Sequence, residues 1–171
     1  STKSNTSRPV VALGSNSIEM GLLALAAMQI GVPFAPISPS YSLMSGDFSK
    51  LKYIIDLINP ALVYVPEAAP FKKALDHVLG PNVPIVSGDG APGFLPFTEF
   101  TSKTPGPDFA QVYADVNGDS IAKYLFTSGS TGMPKAVITT QRMLCSNATA
   151  VCQLLPVLDD HPPIIVDWLP W

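Results

Sequence analysis

Charged side chains make up only 13% of this 171-residue chain, against about 25% in an ordinary soluble domain. So low a charge density fits either an apolar domain or one with some of its surface covered by more protein. The formal net charge is −3, and no Lys/Arg cluster stands out, so the electrostatic footprint of a nucleic-acid partner is missing. Cysteine is scarce too: Cys145 and Cys152 are the 2 present. They fall seven apart in a segment that reads as helix, about 10 Å along the axis, which is too far for a disulfide. Without a cysteine framework or a signal peptide, a reducing cytoplasmic setting is expected, and the sequons at Asn5 and Asn147 are chance matches. A long apolar run is also lacking. Met20 to Gly46 carries no charge, but Gly31, Pro33, Pro36 and Pro39 interrupt it, leaving a helix of about 13 residues where a bilayer span needs roughly 18 to 20. No membrane span is expected.

What the chain does have is apolar material, 47% of it, with 18 prolines and 12 glycines as punctuation. That suffices for one domain with a sizeable core. The polar start "STKSNTSR", residues 1–8, has no apolar period and reads as disordered or left over from expression. "VVALG" predicts a strand, and Asn16 or Ser17 can cap a helix over Ile18–Ile30, apolar nearly all round and therefore expected to be buried. "VPFAPI" is a second strand, completing a strand–helix–strand unit of the kind that lays parallel strands together. Asp47 is placed to cap an amphipathic helix carrying Phe48, Leu51, Ile54, Ile55 and Ile58, which Pro60 ends at Asn59. "ALVYV" and "VPIVS" are strands around a short helix, Phe71–Leu79, closed by Gly80. These units fill 9–87. Residues 88–120 read as a connection, Pro/Gly-rich and without period from Gly88 to Pro107. In 121–171, Ile121–Thr127 and "AVITT" are strands, Gln141–Leu155 is helical, and "IIVDWLPW" is a strand. The alternation predicts a layered α/β fold with a largely parallel sheet and flanking helices.

Between the strands of the last unit lies "TSGSTGMPK", Thr127–Lys135. A phosphate group wants converging backbone N–H groups, hydroxyls and a cation. Thr127, Ser128, Ser130 and Thr131 offer hydroxyls, Gly129 and Gly132 offer freedom at positive φ, and Lys135 offers charge. A Ser/Gly-rich hairpin whose hydroxyls satisfy their own backbone is the plainer alternative. Known phosphate motifs do not fit. The Walker form needs Lys directly after its second Gly, but Met133 and Pro134 intervene and Ala136 stands where a metal-binding hydroxyl belongs. The dinucleotide pattern needs a third glycine, and the nucleophile elbow has no match.

"LFTSGSTGMPKAV" resembles the phosphate-binding signature of the acyl-adenylate-forming superfamily, the acyl-CoA synthetases and their relatives. "GLLALAAMQIGVPFAPISPSYS" and "DFSKLKYIIDLINPALVYV" extend the resemblance over most of the chain, and "PISPSYSLMSGDFSKL" with "DWLPW" is most similar to feruloyl-CoA synthetases. The resemblance implies a partial N-terminal adenylation domain over 9–171. It implies a carboxylic acid, ferulate or another hydroxycinnamate, that attacks the α-phosphate of Mg-ATP, after which CoA displaces AMP. Fatty-acyl, benzoate and coumarate CoA ligases share the same loop. By resemblance, Thr127, Ser128, Gly129, Ser130, Thr131 and Gly132 wrap the phosphates, Lys135 offsets their charge, and Thr127 assists Mg²⁺. Ala136 departs from the family's usual Gly. The downstream acidic motif, most of the acyl pocket and the catalytic lysine are implied to lie beyond Trp171, in a remainder of the parent enzyme without which this part is inactive.

His77 and His161 lack metal-ligand partners at useful spacing and read as surface residues. Asp159 and Asp160 read as a solvated turn, Trp168 and Trp171 as packing against further protein, and Asp167 has no assigned partner. A non-catalytic nucleotide- or anion-binding module stays open beside the ligase.

Overall fold

The computed structural model describes residues 8–127, 132–155 and 164. Two βα units and their extensions form one seven-stranded sheet. Its elements are β1 (Val10–Leu13), α1 (Ile18–Gln29), β2 (Phe34–Ile37), α2 (Ser40–Leu43), α3 (Ser49–Ile58), β3 (Leu62–Val65), α4 (Ala68–Val78), β4 (Ile85–Ser87), β5 (Leu95–Pro96), α5 (Thr98–Thr101), α6 (Phe109–Ala114), β6 (Ile121–Thr127), β7 (Lys135–Thr140) and α7 (Gln141–Leu154). The strand order is β5-β4-β3-β1-β2-β6-β7, parallel throughout except for the antiparallel β6–β7 pair. The expected layered α/β architecture is what the chain adopts.

Strand alternation divides the core between the two faces of the sheet. Val11, Leu13, Ala35, Ile37, Val63 and Val65 pack against Leu51, Ile54 and Ile55 of α3 and Phe71, Leu75 and Val78 of α4. On the opposite face Ala12, Phe34, Tyr64 and Val86 meet Met20 and Ala27 of α1. Each buried Leu, Ile or Val contributes about 1.5–3 kcal/mol of transfer free energy.

Local signals set most boundaries. The Ser17 hydroxyl accepts the Met20 N–H at 3.1 Å and starts α1, which stops before Gly31 at φ +70°. The cap of α3 is Phe48, in the left-handed region at φ 53°, and not Asp47 as expected, although the Asp47 carboxylate accepts the Ser49 N–H at 3.2 Å. A bulky residue there carries backbone strain, which burial of the Phe48 ring offsets. Asn59 leaves the helical region at φ 45°, ψ 71°, so Pro60 ends α3 through a left-handed cap.

Four expectations need correction. α1 is apolar nearly all round, yet only Met20 and Ala27 are buried, and Ile18 and Leu25 are 78% and 65% exposed. A helix lying on a sheet covers one stripe, and no described element packs on its outer side. α4 begins at Ala68, not Phe71, because Pro70 falls in the first turn, where a missing N–H costs nothing. Its end is set by Leu79 turning extended at ψ 142°, with no left-handed turn at Gly80. The 88–107 stretch is also more than connection: β5 joins the sheet beside β4, and Phe97 is buried edge-to-face against Tyr64 at 6.0 Å.

Arg8, grouped with the polar start, donates from Nε to the Asn59 carbonyl at 3.0 Å and from Nη2 to the Pro60 carbonyl at 2.5 Å. The expected strand "IIVDWLPW" lies outside the described residues apart from Ile164, as do His161, Asp159, Asp160, Asp167, Trp168 and Trp171. No helix among the described residues is long and apolar enough to cross a membrane.

Candidate functional site: the β6–β7 hairpin

β6 is apolar and β-branched enough to enter the sheet beside β2, with Lys123 in register with Phe34. Tyr124 and Phe126 pack on the face of the sheet that carries α3 and α4, so alternation turns Lys123, Leu125 and Thr127 toward the α1 face. Burial pushes the Tyr124 phenol above its ordinary pKa. β7 returns antiparallel, pairing Leu125 with Val137, Phe126 with Ala136 and Thr127 with Lys135.

The last of these pairs defines the site. Thr127 and Lys135 stand directly opposite across the hairpin, both exposed, and they bracket the loop 128–134. Cross-strand partners share a face with Cβ atoms about 5 Å apart, so a hydroxyl and an ammonium project from the same end of the hairpin. Among the described residues Lys135 takes part in no ion pair, which leaves its charge available to an anion. Ser128, Gly129, Ser130 and Thr131, the rest of the expected phosphate set, lie outside the described residues.

Among the described residues, a Cβ at Gly132 would meet nothing within 4 Å. Pro134 is buried and fixes the approach to β7. Ala136, where the resemblance anticipates Gly, sits in regular strand pairing with Phe126 and is exposed, so its methyl is accommodated.

β1, β2 and β6 are mutually parallel, so their C-terminal ends share one edge of the sheet, the edge from which the 128–134 loop emerges. Parallel α/β sheets bind ligands at that edge. A cleft of about 350 Å³ opens there, lined by Gly14, Asn16, Met20, Ser38, Lys123 and Phe126 among others. Sequence reasoning passed over Lys123, although one charged residue inside the apolar strand "IAKYLFT" was a usable signal. The base of the hairpin is held by Gln141, whose backbone N–H donates to the Ser120 carbonyl at 2.9 Å and whose Nε2 donates to the Met28 carbonyl at 3.0 Å.

Magnesium is a hard cation that takes about six oxygen ligands. The described residues contain no group of three or more His, Cys, Asp or Glu able to hold a metal. Of the chain's expected ligands only the Thr127 hydroxyl is described, so the chain fits the ion as one contributor beside phosphate oxygens and water. His77 is exposed, as expected, its ring 5.6 Å from that of Phe48, and Cys145 and Cys152 are free and exposed.

Residues 4–167 match the family described as AMP-binding enzyme. Apicidin F synthase of Gibberella fujikuroi is 25% identical over 146 residues, 84% of this chain and 3% of the synthase. 4-Coumarate–CoA ligase 3 of Oryza sativa subsp. japonica is 33% identical over 88 residues, 51% of this chain and 15% of the ligase. A malonyl-CoA ligase, solved as a ternary product complex with methylmalonyl-CoA and AMP, superposes with a TM-score of 0.58 at 25% identity, over 85% of this chain and 26% of that one. The chain thus spans only a small part of each of these proteins. With nearly all of its length inside the match, the chain belongs to the AMP-binding enzyme family.

Proposed function

We propose that this chain is the phosphate-gripping part of an ATP-dependent acid–thiol ligase. The carrying observation is the Thr127–Lys135 cross-strand pair, which sets a hydroxyl and an ammonium, without an ion pair among the described residues, on either side of the 128–134 loop. In the proposed reaction a carboxylate attacks the α-phosphate of Mg-ATP, pyrophosphate leaves, and the CoA thiol displaces AMP from the acyl-adenylate. Bound magnesium supplies charge neutralisation on the phosphates, with Thr127 as the proposed contact from this chain. Lys135 offsets the charge of the β- and γ-phosphates. The hydroxyls of Thr127, Ser128, Ser130 and Thr131 and the N–H groups around Gly129 and Gly132 donate to the phosphate oxygens. Positioning and electrostatics of this kind do the catalytic work without a general acid or base in the loop.

For the acid we propose ferulate or another hydroxycinnamate. Two observations support this choice over a fatty acid or benzoate. The rice relative is a 4-coumarate–CoA ligase, and the stretch Pro36–Pro39, part of the sequence most similar to feruloyl-CoA synthetases, lines the cleft beside the hairpin. The 171-residue chain alone is proposed not to turn over, and the reaction is assigned to a longer polypeptide, in the cytoplasm.

Pyrophosphate release by such a polypeptide with Mg-ATP tests the reading. Release with ferulate exceeding that with benzoate or a fatty acid is expected, and Lys135→Ala should abolish most of it. Release with a fatty acid alone would overturn the substrate, and release with no acid at all would overturn the activity. If the 171-residue chain binds ATP tightly by calorimetry while no longer form adenylates any acid, the binding-module reading replaces the ligase.

A further inference from the structure

The β6–β7 hairpin is stiff in itself and lightly tied to the strand beside it. Six registered pairs, from Ile121–Thr140 to Thr127–Lys135, join its two strands. Toward β2 the ladder has one registered pair, Phe34 with Lys123. Tyr124 and Phe126 also rest on the core, but apolar contact is non-directional. It holds a strand against the core without fixing its tilt.

A directional tie comes from the other strand. Gln141 is the first residue of α7, directly after β7 ends at Thr140. Its Nε2 donates to the Met28 carbonyl at 3.0 Å, across 113 positions and in a part-buried setting. Its backbone N–H donates to the carbonyl of Ser120, the residue before β6, at 2.9 Å. Met28 lies in the last turn of α1, where carbonyls lack intrahelical partners, and from there the chain passes through Gly31 and Pro33 into β2. The Gln141 amide therefore fastens the base of the hairpin to the turn that leads into its neighbouring strand.

The base is also where a small error grows. Lys135 lies six residues from Gln141, about 20 Å along an extended strand, so a tilt of about 3° at the base moves the Lys135 end by about 1 Å. A misplacement of about 1 Å can cost about 10²-fold in rate. Thr127 moves with Lys135 through their cross-strand pairing.

We propose that Gln141 is a positioning residue: its bond to the Met28 carbonyl sets the tilt of the β6–β7 hairpin against β2, and with it the place where the Thr127 hydroxyl and the Lys135 ammonium meet the phosphates. The role in phosphate contact rests on the ligase reading above, whereas the tilt rests on the hydrogen-bond geometry alone.

Gln141→Met keeps the side chain's size and removes its donor, and Gln141→Lys keeps a donor of similar reach. In the proposed longer ligase Gln141→Met is expected to lower the kcat of adenylation about tenfold or more, with the KM for the acid within about twofold, and Gln141→Lys should recover most of the loss. On a Lys135→Ala background Gln141→Met should have much less further effect, because the positioning acts through that ammonium. The tilt is read in the 171-residue chain by the distance between spin labels on Leu22→Cys and Val137→Cys, both exposed positions, with Cys145→Ser and Cys152→Ser. Its distribution should shift or broaden on Gln141→Met. Circular dichroism checks that each variant is folded. An undiminished kcat, full additivity with Lys135→Ala, or an unchanged distance distribution would each overturn the positioning role. A wild-type polypeptide that adenylates no acid would overturn the ligase reading instead, and the distance measurement then decides the tilt by itself.

Discussion

The centre of the sheet and its β6–β7 end differ in sequence, VVAL and LVYV against KAVITT, and meet opposite fates. In β3 and β1 the residues Val11, Ala12, Leu13, Val63 and Val65 are fully buried, with helices over both faces. In β7 no residue is buried, and α7, a 14-residue helix, buries none either. An isolated helix of that length is marginal in water, so α7 relies on its anchorage: the Thr140 cap at 3.3 Å from the Met143 N–H, the Gln141 contacts, and the Arg142–Asp119 ion pair at 3.0 Å. The difference teaches that the stability of this protein resides in the β3-β1-β2 layer, while the proposed site lies at an end of the sheet that adds little to stability. Mutations should therefore separate the two.

The largest effect on folding is expected at the centre. Leu51→Ala removes a fully buried side chain of α3 from the core and should cost about 2–5 kcal/mol by urea denaturation, whereas Val137→Ala should change stability by less than about 0.5 kcal/mol. Equal costs would break the comparison. Lys135→Ala sharpens it from the other direction. In the proposed longer ligase it should lower the adenylation rate by about 10²–10³-fold, the size of one lost transition-state donor, while the melting temperature of the 171-residue chain stays unchanged.

A smaller effect is expected at Asp89. Its carboxylate reaches across 21 residues to accept the Ala68 N–H at 3.1 Å, and that bond holds its pKa below the usual carboxylate range, as the Ser49 backbone bond does for Asp47. A depressed folded pKa means stability that is present above the unfolded value and lost as pH falls through the folded one. The wild type should thus lose stability below about pH 4. Asp89→Asn, which can still accept the bond, should flatten that fall in acid denaturation with little change at neutral pH. The smallest effect should come from Gly132→Ala. With open space around the added methyl among the described residues, the folding midpoint should not move, so any loss of the proposed ligase activity would report how closely phosphate approaches the loop.

The hairpin was legible because its signal is local. Strand propensity on both sides of a Gly-rich hydroxyl loop leaves the chain few options, and Thr127 and Lys135 follow as its two ends. Asp89 and Arg8 were not legible: one caps a helix 21 residues away and the other binds carbonyls more than 50 residues away, and neither has a local pattern to announce it. Nor was β5, since two residues have no period. The apolar circumference of α1 misled because composition states what a helix could bury, not how many of its sides a neighbour will cover.

From its order of residues alone the chain determined the alternation of strands and helices, most of the caps and the hydroxyl–lysine loop, all of which depend on contacts within a few positions. Only the tertiary structure decided the strand order, the sharing of one sheet edge by the C-terminal ends of β1, β2 and β6, and the contrast between a buried centre and an exposed β7. Those depend on which apolar faces find partners across long stretches of chain, and the cost of closing such loops is weighed against burial in three dimensions, beyond the reach of any local pattern.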